Sequence, residues 1–377
     1  MNKLPPLSLY IHIPWCLKKC PYCDFNSYQL IGIIPEKKYI YHLLKDLEQH
    51  TSLIKNRIIN SIFIGGGTPS LIHPNTIKYL IDNIKNIVNI SDIVEITIEM
   101  NPKIQEIEYI PEYQYSGINR ISIGIQSFDS DLLKKIGRNY NKFEAHKAIE
   151  LAMNVPLINI NLDIMHGLPT QSIQSGISDL QQAIQYSPNH LSWYQLTIEP
   201  NTIFQYKKPK LPSEYKLWTI FKNGNKLLKQ SGYHQYEISA YSKTGYKCKH
   251  NLNYWRYGDY LGIGCGAHSK ITNDNGKIIR IIKKKQIVQF MNGKYIEKIY
   301  SVELKDRIFE YFLNHFRIFE PISKKKFQEH TGINPKNIQN EINTAILNKY
   351  LIQTNTHWKT TNKGKLFLNN LLEIFIT

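Results

Sequence analysis

The stretch LSLYIHIPWCLKKCPYCDF, residues 7–25, decides the fold. Its first eight residues, LSLYIHIP, are mainly apolar, β-branched or aromatic and end on Pro14, which predicts a short strand. Three cysteines follow at once, Cys16, Cys20 and Cys23, in the spacing C-x3-C-x2-C. A strand therefore runs straight into a loop that can wrap a ligand. Downstream, KKYIYHLLKDLEQH (37–50) places Tyr39, Leu43, Leu44 and Leu47 on one helical face, as an amphipathic helix requires. The pair recurs. Strands are predicted at 61–67, 94–100, 120–127, 160–167 and 190–198, and helices at 74–89, 105–116, 130–153, 173–186 and 213–231. Six strand–helix units predict an α/β chain whose parallel sheet closes toward a partial (β/α)6 barrel.

In such sheets ligands gather at the carboxyl ends of the strands, where the βα loops converge. The polar and glycine residues obey that placement: GGGTP (65–69) follows the second strand, Glu99 ends the third, Gln126 ends the fourth and Asp163 sits late in the fifth. The alternation fixes residues 1–240 as the barrel unit. Beyond it, 241–300 reads as a loop-rich bridge carrying HNLNYW (250–255), and 301–377 as a mainly helical, winged-helix-like domain with a hairpin near 351–364.

The 377 residues are 42 % hydrophobic, enough for a real core and too much for disorder. No run approaches the ~18–20 apolar residues of a membrane span, and no secretion leader is expected, so a cytoplasmic chain is predicted. The formal charge of +17 is spread through a Lys-, Asn- and Ile-rich composition, but 270–377 alone hold 19 Lys and Arg against 9 Asp and Glu. A charged docking surface, including a peripheral seat on a membrane's inner face, belongs there. The terminal module lacks obvious aromatic recognition residues, so no nucleic acid is expected.

Five cysteines, an odd number, argue against a disulfide framework. Structural zinc takes four protein ligands, often as two C-x2-C pairs, and no second pair exists. Three soft thiolates suit an iron–sulfur cube, which they hold with one iron open to an exchangeable ligand. No G-x-S-x-G elbow or H-E-x-x-H helix offers hydrolytic chemistry instead.

The cysteine motif after a first barrel strand, with Tyr22 just ahead of Cys23, resembles the radical S-adenosylmethionine (SAM) superfamily. The segments IFIGGGTPSL, ISIGIQSF, NLDIMHGLP, LSWYQLTIEPNT and HNLNYWRYGDYLGIGCGAHS resemble its HemN/HemW branch, which holds oxygen-independent coproporphyrinogen III oxidases and heme chaperones. That resemblance implies a [4Fe-4S] cluster on Cys16, Cys20 and Cys23, with SAM at the open iron. It implies SAM contacts from Tyr10, Gly66, Gly67, Thr68, Glu99, Gln126, Arg138 and Asp163. The oxidase motif continues with a further cysteine where Phe25 stands, and it has a longer segment ahead of its cluster; both departures favour the chaperone over the oxidase, which stays the alternative.

By the same resemblance His250 of HNLNYW is the expected heme ligand, with Tyr254 and Trp255 against the macrocycle. Cys248, Cys265 and His268 are further candidate ligands without a spacing signature, and Lys247, Lys249 and Arg256 are candidate partners for propionates. Trp15, Trp193, Tyr194 and Trp218 read as packing. The implied partners are heme, heme-acceptor proteins such as membrane respiratory enzymes, an unidentified electron donor and a second copy in a homodimer.

Overall fold

Leu7–Ile13 (β1) buries Leu7, Leu9, Ile11 and Ile13 on its outer face, while Ser8, Tyr10 and His12 face inward. This period of two is repeated around the sheet. In the computed structural model, which describes residues 4–156 and 158–376, the following strands are Ile59–Gly66 (β2), Ile90–Met100 (β3), Arg120–Gln126 (β4), Asn159–His166 (β5) and His190–Gln195 (β6). Each pairs in parallel with the one before it. Crossover helices cover the outside, among them Glu36–Glu48 (α1), Pro74–Ile87 (α2), Lys142–Met153 (α3), Ile173–Gln185 (α4) and Glu214–Gln230 (α5). The face predicted for the first of them is the buried one: Tyr39, Leu43 and Leu47 are fully enclosed.

Two helices predicted as continuous are broken. The 105–116 segment is split into Ile104–Ile107 and Ile110–Tyr115, with Pro111 in the first turn of the second piece, where its missing N–H costs nothing. The 130–153 segment stops at Lys135 and restarts at Lys142, because Gly137 adopts a positive φ between them.

Residues 234–301 add more sheet than the loop-rich reading of 241–300 expects. His234–Gln235 (β7) and Ala240–Ser242 (β8) pair antiparallel beyond β6, while Asp259–Ile263 (β9) pairs parallel with the other edge, against β1. His268–Thr272 (β10), Ile278–Lys283 (β11) and Ile296–Ser301 (β12) continue antiparallel from there. The resulting order is β12-β11-β10-β9-β1-β2-β3-β4-β5-β6-β8-β7, one twelve-stranded sheet curved into an open barrel. Short strands rich in glycine, as in DYLGIGCGAH, hide their period, which is why the sequence pattern reads as loop.

HNLNYW is a helix, Lys249–Trp255 (α6), packed across the base of the barrel against β1, β2 and β9. The terminal module follows: Leu304–His315 (α7), Lys324–Thr331 (α8), Gln339–Leu347 (α9), and a three-stranded sheet of Ile322–Ser323 (β13), Leu351–Gln353 (β14) and His357–Thr360 (β15). Its own core gathers Tyr311, Phe312, Phe316, Phe327, Trp358 and Phe375.

Candidate functional site

The loop after β1 is tied down from several sides. His12 Nε2 contacts the Asn26 carbonyl at 2.9 Å, and Asn26 Nδ2 donates to the carbonyls of Cys265 and Lys285. Lys19 Nζ donates to Phe25 and Ser27 carbonyls from within the loop. Between these anchors Cys16, Cys20 and Cys23 are half-buried, free of disulfides, and all three line one cavity of about 420 Å³ at the carboxyl rim.

Burial pushes the Cys16 and Cys23 thiols up, and the neighbouring cysteines add to the rise. A cation among them reverses that balance and favours thiolates. Among the described residues no three His, Cys, Asp or Glu side chains are close enough to share one metal ion. In a four-iron cube each cysteine meets a separate iron, so three thiols spread around one cavity mouth fit that group.

Seven of the eight proposed SAM contacts converge here: Gly66, Gly67, Thr68, Glu99, Gln126, Arg138 and Asp163 all line this cavity. Sterics explain the glycines. A Cβ on Gly66, whose φ is 113°, meets the His12 ring at 2.5 Å, and one on Gly67 meets the Trp15 carbonyl oxygen at 2.5 Å. The chain passes so close to β1 that only glycine fits. The Gly66 N–H donates to Glu99 Oε2 at 3.1 Å. Thr68 accepts from Asn101 Nδ2 at 3.1 Å.

Glu99 is half-buried, and desolvation, reinforced by nearby Asp163, lifts its carboxyl to about 8. Burial raises Asp163 as well, although Ser122 and Asn161 donate to it at 2.8 and 2.9 Å. Two half-buried carboxyl groups at one end of a cavity suit a cationic ligand. Arg138 stands opposite in charge: its Nη1 donates to Asn101 at 3.0 Å and its Nη2 to Tyr22 at 2.7 Å. Its Nε is buried with no partner among the described residues, an unspent donor that suits a ligand oxygen or ring nitrogen. Gln126 sits at φ 64° beyond a register shift in β4, a left-handed conformation costing a non-glycine residue about 1 kcal/mol or more. The bulge turns its amide into the cavity, where Tyr194 donates to Oε1 at 2.9 Å.

Tyr10 lies outside that lining. Its hydroxyl meets His12 Nδ1 at 3.0 Å and its ring stacks on Phe63, so it stands beneath the site and steadies His12. Asn101, Tyr22 and Ser122 line the same site though motif reading gives them no role, and Tyr194, read as packing, joins them there. The signal for Tyr22, Asn101 and Tyr194 is positional, since each lies on the cysteine loop or at a strand's carboxyl end, whereas Ser122 sits early in β4 and carries no such signal.

His250 is at the opposite end of the barrel. Its N–H donates to Glu95 at 3.1 Å, its Nδ1 meets Ser61 Oγ at 3.2 Å, and its ring packs 5.1 Å from Phe63. Burial drives its imidazole down to about 3. Two more residues of the motif are engaged: Asn253 donates to Ser8 and to the Asp259 carbonyl, and Trp255 donates to Glu237 at 2.7 Å, while the Tyr254 ring is exposed. Arg256 forms two bonds with Glu320 of the terminal module, Lys247 lies 3.8 Å from that same carboxylate, and Lys249 caps the Ile93 carbonyl. Cys248 is buried with its thiol toward Glu95, Cys265 is buried against the Lys285 carbonyl, and His268 lies exposed at the start of β10.

The chain matches the radical SAM superfamily over residues 10–181 and the HemN C-terminal domain over residues 302–367. It is 57 % identical over 376 residues to the protein named heme chaperone HemW of Buchnera aphidicola subsp. Schizaphis graminum, covering all of both chains. The chain belongs to the HemW family of radical SAM proteins. Identity to the HemW of Escherichia coli is 49 %, again across both full lengths, and to that of Bacillus subtilis 31 % over 98 % of this chain and 99 % of the relative. The fold is also that of Escherichia coli HemN, described as a coproporphyrinogen III oxidase and radical SAM enzyme. That structure superposes with a TM-score of 0.84 at 21 % identity, covering 99 % of this chain and 91 % of its own. Among the described residues no helix is long and apolar enough to cross a membrane.

Proposed function

We propose that this chain is a cytoplasmic heme chaperone: it takes up heme and passes it to acceptor proteins, and it holds a [4Fe-4S] cluster and SAM at the barrel rim. The observation that carries the reading is full-length similarity, 49–57 %, to three proteins named heme chaperone HemW, with no part of either chain unmatched. Cys16, Cys20 and Cys23 would hold the cluster, which supplies an open iron and an electron. The chain's own groups do the positioning. Glu99 and the Gly66–Gly67 backbone receive the charged amino-acid end of SAM, while Arg138, Gln126 and Asp163 meet its ribose and base.

Phe25 supports the chaperone over the oxidase, since it occupies the position of the oxidase's further cysteine and presents an exposed ring at the cavity mouth. Anaerobic reconstitution followed by separate additions of hemin and SAM tests the reading. Stoichiometric hemin uptake, and its transfer to an apo-heme protein, is the expected result. Decarboxylation of coproporphyrinogen III with release of 5′-deoxyadenosine would replace the chaperone with the oxidase.

A further inference from the structure

A second cavity, of about 900 Å³, lies between α5, the β6–β8 edge of the sheet and the terminal module. Its volume falls within the ~300–1,000 Å³ of ordinary small-molecule sites. One wall is aromatic: Trp218 and Phe221 lie side by side on α5 with centroids 5.9 Å apart, and Phe221 stacks at 3° on buried Trp193. Trp218 reads as packing in the sequence, yet the structure leaves it 51 % exposed at this wall. Leu366, equally exposed, and Phe319 face it from the terminal module.

The polar lining is markedly unequal in sign. Lys222, Lys229 and Lys365 stand against a single carboxylate, Glu214. Lys365 Nζ sits 4.0 Å over the Phe319 ring, and burial together with nearby Lys359 lowers its pKa. A cation held over an apolar wall gains from an anionic guest. His234, exposed on β7, adds an imidazole to the same lining. Gln195, at the carboxyl end of β6, borders both this groove and the cysteine cavity, so the two are neighbours.

Flat aromatic wall, surplus cations and an available imidazole describe the complement of one chemical class: a planar, apolar macrocycle carrying carboxylates and an iron. Resting on heme as the cargo, we infer that this groove, and not HNLNYW, seats the heme, with His234 on the iron and Lys222, Lys229 and Lys365 facing the propionates. The HNLNYW imidazole is already held against Ser61 at the barrel base, with its Nδ1 3.2 Å from the hydroxyl.

Hemin titration of the full, cluster-loaded chain tests the seat, read by Soret absorbance and by quenching of tryptophan fluorescence. In His234→Ala the Soret maximum shifts and affinity falls about tenfold, the loss of one ligand bond. Lys222→Glu with Lys365→Glu weakens hemin about tenfold or more and weakens iron-free protoporphyrin equally, because the propionates and not the iron meet the lysines. Trp218→Phe removes the largest share of the quenched emission. Retained iron and visible absorption of the cluster report that each variant is folded. Parent-like spectra and affinity in both groove variants, with hemin lost in His250→Ala, overturn the seat and leave heme as cargo. A parent chain that takes up no hemin overturns the cargo reading and the seat together.

Discussion

The two ends of the barrel are built from the same kinds of residue and use them differently. At the base, most inward polar groups are spent on one another: Glu95 receives the His250 N–H and the Cys248 thiol, and Asn161 meets His190 at 2.5 Å while His190 meets Tyr236 at 2.8 Å; the buried Arg120 Nε, without a partner among the described residues, is an exception. Asp259 accepts from Lys270, Arg57 and Thr272 at 2.8–2.9 Å. At the rim, Glu99, Asp163, Arg138 and three thiols border open space with capacity left over. A buried polar residue is therefore structural or functional according to where its partners lie, within the chain or outside it.

Exchanging substitutions between the ends tests that contrast. Cys16→Ser, Cys20→Ser or Cys23→Ser removes one of three donors and abolishes bound iron and visible absorption, while the denaturation midpoint stays near that of the unloaded parent. At the base the reverse holds. Asp259→Ala strands the buried Lys270 ammonium, whose nearest anion it was, and costs about 3–5 kcal/mol in urea unfolding. A rim cysteine variant that unfolds, or an Asp259 variant of parental stability, breaks the division.

Protonation separates the ends more finely. Glu99 in the ligand-free chain keeps its proton to about 8, whereas the unfolded chain releases it near 4.5. The folded state binds more protons across that window, so this residue lowers stability as pH rises through it. A bound ammonium favours the carboxylate, hence binding expels the proton and SAM affinity climbs with pH, by up to about tenfold per unit, until about 8. Glu99→Gln weakens SAM and flattens the climb, measurable by equilibrium binding at several pH values. A climb that survives in the variant assigns the proton elsewhere.

The base responds to acid in the opposite sense. His250 is held to about 3 by burial, so the unfolded chain takes up a proton that the folded chain refuses as pH drops below 6.5. Stability falls toward pH 4, and His250→Gln removes part of that fall without touching SAM affinity. Urea midpoints at pH 7 and pH 5 check both statements.

How much of this was legible beforehand follows from what leaves a periodic or local trace. The parallel core was, because alternation in RISIGIQ and NINLDIMH and the face of Tyr39, Leu43 and Leu47 are written over one or two turns. The convergence of seven rim residues on one cavity was too, because strand ends are where side chains with spare capacity collect. The strands of 259–301 were not: they are short, and β9 pairs with β1 across 252 residues at Leu7–Asp259, a contact no window contains. That HNLNYW forms a helix at the base was hidden for a related reason, since the Ser8, Ser61 and Glu95 that hold it lie far away in the chain.

Tyr10 provides the finest test because it stands between the two ends. Its hydroxyl reaches His12, His12 reaches the Asn26 carbonyl of the cysteine loop, and the His12 ring fills the space that forbids a Cβ at Gly66. Tyr10→Phe deletes one hydrogen bond from that chain and costs about 0.5–1.5 kcal/mol of stability. The ring stays on Phe63, so His12 keeps its place and the glycine backbone keeps its shape. SAM affinity then changes less than about threefold, a shift smaller than the loss of one ligand hydrogen bond. A tenfold loss of SAM affinity with unaltered stability would move Tyr10 from beneath the receptor into it, and with it the boundary between the spent and unspent ends of the barrel.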